Sequence, residues 1–182
     1  MTPILEVHNL TVRYNGRDAL AGVSFSVQPG ERVAIVGPNG AGKSTMMKVL
    51  AGFSQKTSGS ILINDKPANY RKPAQAVSLG IGMLYQDPLD FSLLSVLDNF
   101  MLGQTNGFSG HKNKFRKAFH QLAESFNFGL HPDTPIKILT IGERQQLELL
   151  RLLALGVQIL ILDEPTTGIS ATQKDILFKS LK

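Results

Sequence analysis

The sequence predicts an α/β fold in which a core with a mixed sheet and flanking helices is interrupted by an α-helical subdomain. Apolar runs typical of strands are followed by segments typical of helices in the first half of the chain and again near its end. The N-terminal segments alternate apolar and polar residues, as antiparallel strands with one solvated face do. From about residue 88 to about residue 150 the pattern is helical.

We therefore expect one domain over residues 1–182. Residues 1–87 and 156–182 would form its core, and residues 88–155 its helical subdomain.

Composition limits the possible classes of protein. The chain has 182 residues and no cysteine, which excludes disulfides and thiolate metal sites. Its N-terminus lacks the basic-then-apolar layout of a signal peptide, and no apolar run approaches the roughly 18 residues of a membrane span. The net charge of +5 is spread along the chain, so it does not indicate nucleic-acid binding.

The first elements are predicted from alternation and from turn residues. Residues 4–14 and 23–27 alternate as half-buried strands, and the intervening "NGRDALAG" is typical of a turn. The β-branched run "RVAIVG" (32–37) predicts a fully buried strand, and 43–53 a helix. The later predicted elements are strands at 59–64, 80–86 and 157–162, and helices at 73–79, 95–102, 112–128, 142–155 and 171–182.

One apolar stripe of the helical part is predicted to be core. Phe115, Phe119, Leu122 and Phe126 recur at spacings of 4, 3 and 4, which places them on one helix face. An aromatic functional cluster is the alternative to core packing.

A glycine-rich stretch, "GPNGAGKS" (37–44), follows the predicted strand and opens a helix. Glycines let successive backbone N–H groups turn inward and hold phosphate oxygens, and the helix N-terminus adds positive potential. Lys43 can reach the terminal phosphates, and the Ser44 hydroxyl can bind Mg²⁺. The predicted phosphate loop consists of Gly37, Pro38, Asn39, Gly40, Ala41, Gly42, Lys43 and Ser44.

Two carboxylates end the apolar strand "ILIL". A strand buried on both faces delivers Asp163 and Glu164 to the carboxyl edge of the sheet, where α/β proteins bind ligands. Asp163 can hold Mg²⁺ through water, and Glu164 can orient or deprotonate an attacking water. A solvated loop start is the alternative.

The stretch "LTIGERQQ" (139–146) predicts a helix start with an unusual glycine. Thr140 and Glu143 have the spacing of a capping box. Gly142 lies within the first turn, where glycine costs roughly 1 kcal/mol relative to alanine. Close approach of another group to that backbone would explain it.

With "GPNGAGKST", "YQD" (85–87), "LTIGERQQ" and "ILILDEPTT" in this order, the chain resembles the ATP-binding subunit of ABC transporters. The stretches "NDKPANYRKPAQAVSLGIGMLYQDP" and "SVLDNFMLG" resemble the importers of simple sugars and nucleosides. The resemblance implies a P-loop NTPase core and a motor subunit that binds and hydrolyses Mg-ATP.

The resemblance also implies roles for individual residues. Tyr14 would stack on adenine, and Thr45 would contact the α-phosphate. Gln86 would contact Mg²⁺ and the attacking water, so that Ser44, Gln86 and Asp163 form the metal site. The catalytic residues would then be Glu164, Gln86 and Lys43.

The implied partners follow from the same resemblance. Thr140, Gly142 and Glu143 would face ATP on a second ATP-binding domain in a head-to-tail dimer. Residues 87–99 would meet a transmembrane permease, and a solute-binding protein would act indirectly; no nucleic acid is implied. The location would be cytoplasmic, at the inner face of the plasma membrane.

The sequence departs from the family pattern at three places. Ile141 stands where the commonest signature has a glycine, and Ser170 stands where the family has a coupling aspartate. The chain stops at Lys182, before the strand that carries the family's switch histidine. That strand would lie between those ending at Gly37 and Asp163, so we expect the chain to be a C-terminally truncated fragment.

Two alternatives to a transport motor stay open. One is an ATP-binding fragment with little hydrolysis. The other is a soluble ABC-type ATPase acting in DNA repair or translation, although the chain lacks the long coiled coil and the basic linker of such proteins.

Overall fold

The computed structural model describes residues 2–85, 87–104 and 112–163. The described residues divide into two units, one up to Met83 together with Val157–Ile161, and one of Leu84–Gly156 together with Leu162 and Asp163. The elements are β1 (Leu5–Tyr14), β2 (Arg17–Val27), α1 (Lys43–Leu50), β3 (Ser58–Ile63), β4 (Lys66–Pro67), α2 (Pro73–Ser78), β5 (Ile81–Leu84), α3 (Val96–Met101), α4 (Lys112–Ser125), a 3₁₀ turn (Ile136–Ile138), α5 (Ile141–Ala154) and β6 (Ile159–Leu162). Within these ranges, every helix is too short or too polar to cross a bilayer.

The N-terminal strands form an antiparallel sheet in the order β2-β1-β3-β4. Val7 of β1 lies opposite Phe25 on one side and Ile61 on the other. The buried positions of β1 shift from Leu5 and Val7 to Leu10 and Val12, because a register irregularity falls between Val7 and Leu10. Such a bulge moves the alternation by one residue and keeps both apolar pairs facing the core.

The hairpin between β1 and β2 is tighter than the sequence predicted. Asn15 and Gly16 both have positive φ, 49° and 79°, which is the geometry of a two-residue hairpin turn. The second strand therefore begins at Arg17. The predicted longer turn over "NGRDALAG" is wrong, because two residues suffice for the reversal.

The predicted buried strand at 32–37 is also wrong. These residues adopt no regular secondary structure, and the Val36 side chain is 88% exposed. A strand needs neighbouring strands to satisfy its backbone N–H and C=O groups. Among the described residues no strand pairs with this segment, so its β-branched composition alone does not produce one.

The strands β5 and β6 form a two-stranded sheet. Ile159 N donates to Gly80 O (2.9 Å) and Asp163 N donates to Leu84 O (3.2 Å), so both strands advance in the same direction. All four residues of β6 are half-buried. The prediction that this strand is buried on both faces is therefore wrong, since the described sheet gives it one neighbour.

The helices α3, α4 and α5 pack around buried aromatic side chains. The rings of Phe100 and Phe119 meet edge to face, with centroids 5.3 Å apart. Of the predicted stripe, Phe119 is fully buried, whereas Phe115, Leu122 and Phe126 are half-buried. The stripe is thus core at its centre.

The helix predicted over 171–182 lies outside the described residues.

Replacing Phe119 by alanine removes a fully buried ring and should lower the free energy of unfolding by about 3–5 kcal/mol. Phe115→Ala, four residues earlier on the same helix, is the matched control and should have a clearly smaller effect, because Phe115 is half-buried. Urea unfolding followed by circular dichroism measures both. Equal losses for the two variants would contradict the packing described here.

Candidate functional site

The predicted phosphate loop reaches α1 through two glycines in a backbone conformation that favours glycine. Gly40 and Gly42 have φ values of 83° and 88°, in the left-handed region. At Gly42 a Cβ atom would lie 2.4 Å from the carbonyl oxygen of Ala19 and 2.7 Å from Leu20 Cδ2. The loop therefore lies directly against strand β2, and a side chain at position 42 would separate them.

The N-terminus of α1 has free donors for an anion. Gly42 is the N-cap and supplies no side-chain cap, and the first turn contains no acidic residue. The first N–H groups of a helix have no acceptor within the helix and carry the positive end of its dipole. These groups belong to Lys43, Ser44 and Thr45, which directly follow the glycine turn.

The Lys43 ammonium lies across its own loop. Its Nζ donates to the carbonyl oxygens of Gly37 (2.7 Å) and Pro38 (2.9 Å). Ala41 N donates to Pro38 O (3.2 Å) and closes the turn. A positive charge is thus held over the glycine-rich backbone, where a phosphate would be attracted.

Tyr14 ends strand β1 and is half exposed, so its ring is accessible. It lies opposite Arg17 in the hairpin that also carries Ala19 and Leu20. The hairpin contacts the phosphate loop at Gly42, and the sequence pattern did not reveal this contact.

The signature stretch forms the predicted capping box at the start of α5. Thr140 Oγ1 accepts from Glu143 N (3.3 Å), and Glu143 Oε2 accepts from Thr140 N (2.8 Å). Thr140 and Ile141 are exposed, whereas Gly142 is buried. The predicted capping box is therefore confirmed.

Asp163 follows β6 and lies near a tyrosine that sequence reasoning missed. Burial, followed by the negative charges of Glu148 and Asp163, raises the pKa of Tyr85 to about 12. Tyr85 directly precedes Gln86. Both Gln86 and Glu164 lie outside the described residues.

A second missed feature is a pair of ion pairs on α5. Arg144 binds Asp90, and Arg151 binds Glu148. Glu148 is buried; its burial raises the pKa of its carboxyl group, and the charge of Arg151 opposes that rise. The spacing of Glu148 and Arg151 on one helix could have indicated their pair. The fold alone reveals the pair between Asp90 and Arg144, which are 54 residues apart.

The predicted metal donors have the right chemistry for Mg²⁺, which prefers hydroxyl, amide and carboxylate oxygens. Ser44 is exposed and Asp163 is half-buried, so their oxygens are accessible to an ion. Within the described ranges, no cluster of three or more His, Cys, Asp or Glu could hold a metal without other donors. The oxygen chemistry of each predicted donor therefore fits a hard ion such as Mg²⁺.

Comparison with known proteins decides the family. A family model described as ABC transporter matches residues 20–167. The chain belongs to the ABC transporter family. The match includes the phosphate loop, the signature stretch and Asp163, and it begins after Tyr14.

Curated relatives of this family member are sugar-import proteins. The chain is 40% identical to the ribose import ATP-binding protein RbsA 2 of Escherichia coli, over 98% of the chain and 36% of that protein. It is 36% identical to the arabinose import ATP-binding protein AraG 2 of Burkholderia thailandensis, over 96% of the chain and 34% of that protein. The chain thus spans about a third of the length of these relatives.

Solved structures confirm the predicted fold class. CbiO1 from Clostridium perfringens, part of the ABC transporter complex cbiONQ, gives a TM-score of 0.83 at 30% identity and covers 100% of this chain and 73% of its own. An ATP-binding cassette of an ABC transporter in its ADP conformation gives a TM-score of 0.86 at 26% identity. The match covers 100% of this chain and 76% of that cassette. The resemblance inferred from four motifs and the α/β fold with a P-loop NTPase core are confirmed.

The two left-handed glycines of the loop give a matched test. Gly40→Ala should cost about 1–2 kcal/mol of unfolding free energy, because left-handed φ is strained for alanine and nothing lies near its Cβ. Gly42→Ala should cost a further ~1–3 kcal/mol, because its Cβ must also displace the Ala19 carbonyl. Chemical denaturation measures both, and equal losses would show that the contact with β2 is not tight.

Proposed function

We propose that the chain binds Mg-ATP and hydrolyses it as part of the motor subunit of an ABC transporter that imports sugars or nucleosides. The observation that carries the proposal is the phosphate loop, in which a glycine-specific backbone opens into a helix beneath a lysine ammonium. The sugar-import names of its relatives favour this class of solute.

Residues 37–45 bind the triphosphate in this proposal. Lys43 already holds two carbonyl oxygens, and phosphate oxygens are stronger acceptors because the hydrogen bond is then charge-assisted on both sides. Thr45 contacts the α-phosphate. Tyr14, exposed at the end of β1, stacks on adenine.

Ser44, Gln86 and Asp163 hold the Mg²⁺ ion, which supplies charge neutralisation at the phosphates. Glu164 accepts a proton from the attacking water, and Gln86 orients that water. The family match, which includes Asp163 and Glu164, supports these assignments.

The partners are a transmembrane permease and a second ATP-binding domain. The segment after Gln86 exposes Leu89, Phe91 and Leu93, and exposed apolar side chains this close together favour a protein partner. The exposed Thr140, with Gly142 and Glu143, faces ATP on the second domain in a head-to-tail dimer. A solute-binding protein acts through the permease, and the subunit lies on the cytoplasmic face of the plasma membrane.

One observation favours a second candidate, an ATP-binding chain with little hydrolysis. Residues 32–37 enter the phosphate loop without strand pairing, and Val36 is almost fully exposed. A loop whose entering segment is not fixed by a sheet can bind phosphate but positions it poorly for reaction. The hydrolysis rate of this chain beside that of the full-length protein separates the two candidates.

Lys43→Ala should weaken ATP binding about 10²–10⁴-fold, because two hydrogen bonds to charged phosphate oxygens, each worth roughly 1.5–3 kcal/mol, are lost. Lys48→Ala, on the exposed side of the same helix, is the matched control and should leave affinity within about twofold. Titration with a fluorescent ATP analogue measures both variants. Unchanged ATP affinity in Lys43→Ala would show that this loop does not bind ATP.

Glu164→Gln in the full-length protein should leave ATP binding intact, slow hydrolysis about 10²–10⁴-fold and accumulate a nucleotide-bound dimer, because the general base is gone. Glu124→Gln, an exposed position on α4, is the control for a lost charge. Phosphate release and size-exclusion chromatography in ATP are the measurements. A monomer that turns over normally would refute the assignment.

A further inference from the structure

An ion pair joins the exposed apolar segment to the helix that begins at the signature stretch. Arg144 Nε donates to Asp90 Oδ2 (2.5 Å), and Arg144 Nη2 donates to Asp90 Oδ1 (2.6 Å). The Asp90 side chain is 6% exposed and that of Arg144 is 30% exposed. A bidentate pair of this kind fixes both the separation and the relative orientation of the two groups.

The segment, residues 87–95, is held at a second point by α3. Asn99 Oδ1 accepts from Phe91 N (2.8 Å), and Asn99 Nδ2 donates to Phe91 O (3.1 Å) and Ser95 O (3.0 Å). Asn99 is buried. The backbone around Phe91 is therefore fastened to α3, while the carboxylate of Asp90 is fastened to α5.

These anchors leave the apolar side chains of segment 87–95 exposed. Leu93 is 91% exposed, and Leu89 and Phe91 are each more than half exposed. A partner that binds these side chains therefore contacts a segment that is hydrogen-bonded to both α3 and α5. The bond to α5 is the ion pair of Asp90 with Arg144.

Arg144 lies in the same helical turn as the signature residues. Its backbone N–H donates to Thr140 O (3.0 Å), and the capping box joins Thr140 to Glu143. A displacement of Asp90 therefore acts on the turn that presents Thr140. The other ion pair of α5, between Glu148 and Arg151, joins two residues of the same helix.

We propose that Arg144 is a positioning residue, which through Asp90 couples partner binding on segment 87–95 to the orientation of Thr140–Glu143. This inference rests on the proposed function, in which segment 87–95 meets the permease and Thr140–Glu143 faces ATP on a second domain. Lysine does not replace arginine here, because an ammonium group cannot donate two parallel hydrogen bonds in a fixed plane.

The first measurement is the distance between segment 87–95 and the first turn of α5. The chain has no cysteine, so spin labels on Leu93→Cys and Ile141→Cys, both exposed, report it directly. We expect a narrow distance distribution that Arg144→Lys and Asp90→Asn both broaden under conditions where circular dichroism shows a folded chain. A purely stabilising ion pair would lower the unfolding midpoint and leave this distribution unchanged.

Arg116→Lys is the matched control. Arg116 also binds a carboxylate through two nitrogens, that of Asp133, in the same unit, but this pair is solvent-exposed and joins α4 to a different segment. We expect no broadening in this variant. Broadening in Arg116→Lys equal to that in Arg144→Lys, or none in Arg144→Lys, would overturn the link.

The second measurement is the rate of ATP hydrolysis by the full-length protein, free and bound to its permease in proteoliposomes. Arg144→Lys should reduce stimulation by the permease about five- to tenfold, the size of a typical coupling between sites. Stimulation equal to wild type would overturn the coupling. A wild-type protein that no permease stimulates would instead refute the proposed function, while the distance measurement still decides whether the link exists.

Discussion

The contact between Gly42 and strand β2 is the constraint on which the candidate nucleotide site depends. The loop can pass within van der Waals distance of the Ala19 carbonyl only because position 42 carries no side chain and can adopt a φ of 88°. That passage sets where α1 begins, and therefore where its first N–H groups point. It also ties the loop to the hairpin whose other strand ends at Tyr14. The contact thus joins the loop proposed for the phosphates to the hairpin that carries Tyr14, and the glycine at position 42 is its local cause.

Features with a local physical cause could be predicted from the sequence. The capping box at Thr140 and Glu143 formed as expected, because both partners lie within one helical turn. Helix α1 begins at Lys43, as predicted from the glycine-rich stretch before it. The family was identified from four motifs in order, and the match over residues 20–167 confirmed it.

Predictions failed where the outcome depends on a distant segment. The run at 32–37 has the composition of a strand, but among the described residues no strand pairs with it. The shift of burial along β1 requires a bulge that apolar alternation does not encode. Asp90 and Arg144 are 54 residues apart, and each separately resembles a solvated charge. Sequence spacing carries no information about such a pair, since only the packing of the helices brings its members together.

The capping box places a condition on the proposed role of the signature stretch. Glu143 Oε2 accepts both from Thr140 N and from Thr140 Oγ1 (2.8 Å each), so a carboxylate already occupies two donors at the start of α5. A γ-phosphate from a second domain would compete with that carboxylate for the same donors, and the two negative groups repel each other. In the proposed function, ATP contact with the two Thr140 donors therefore requires the Glu143 side chain to leave the cap, which removes both hydrogen bonds from the first turn. A turn weakened in this way needs another support, and the Arg144–Asp90 pair, one residue further along α5, supplies it without using the donors that the phosphate would take.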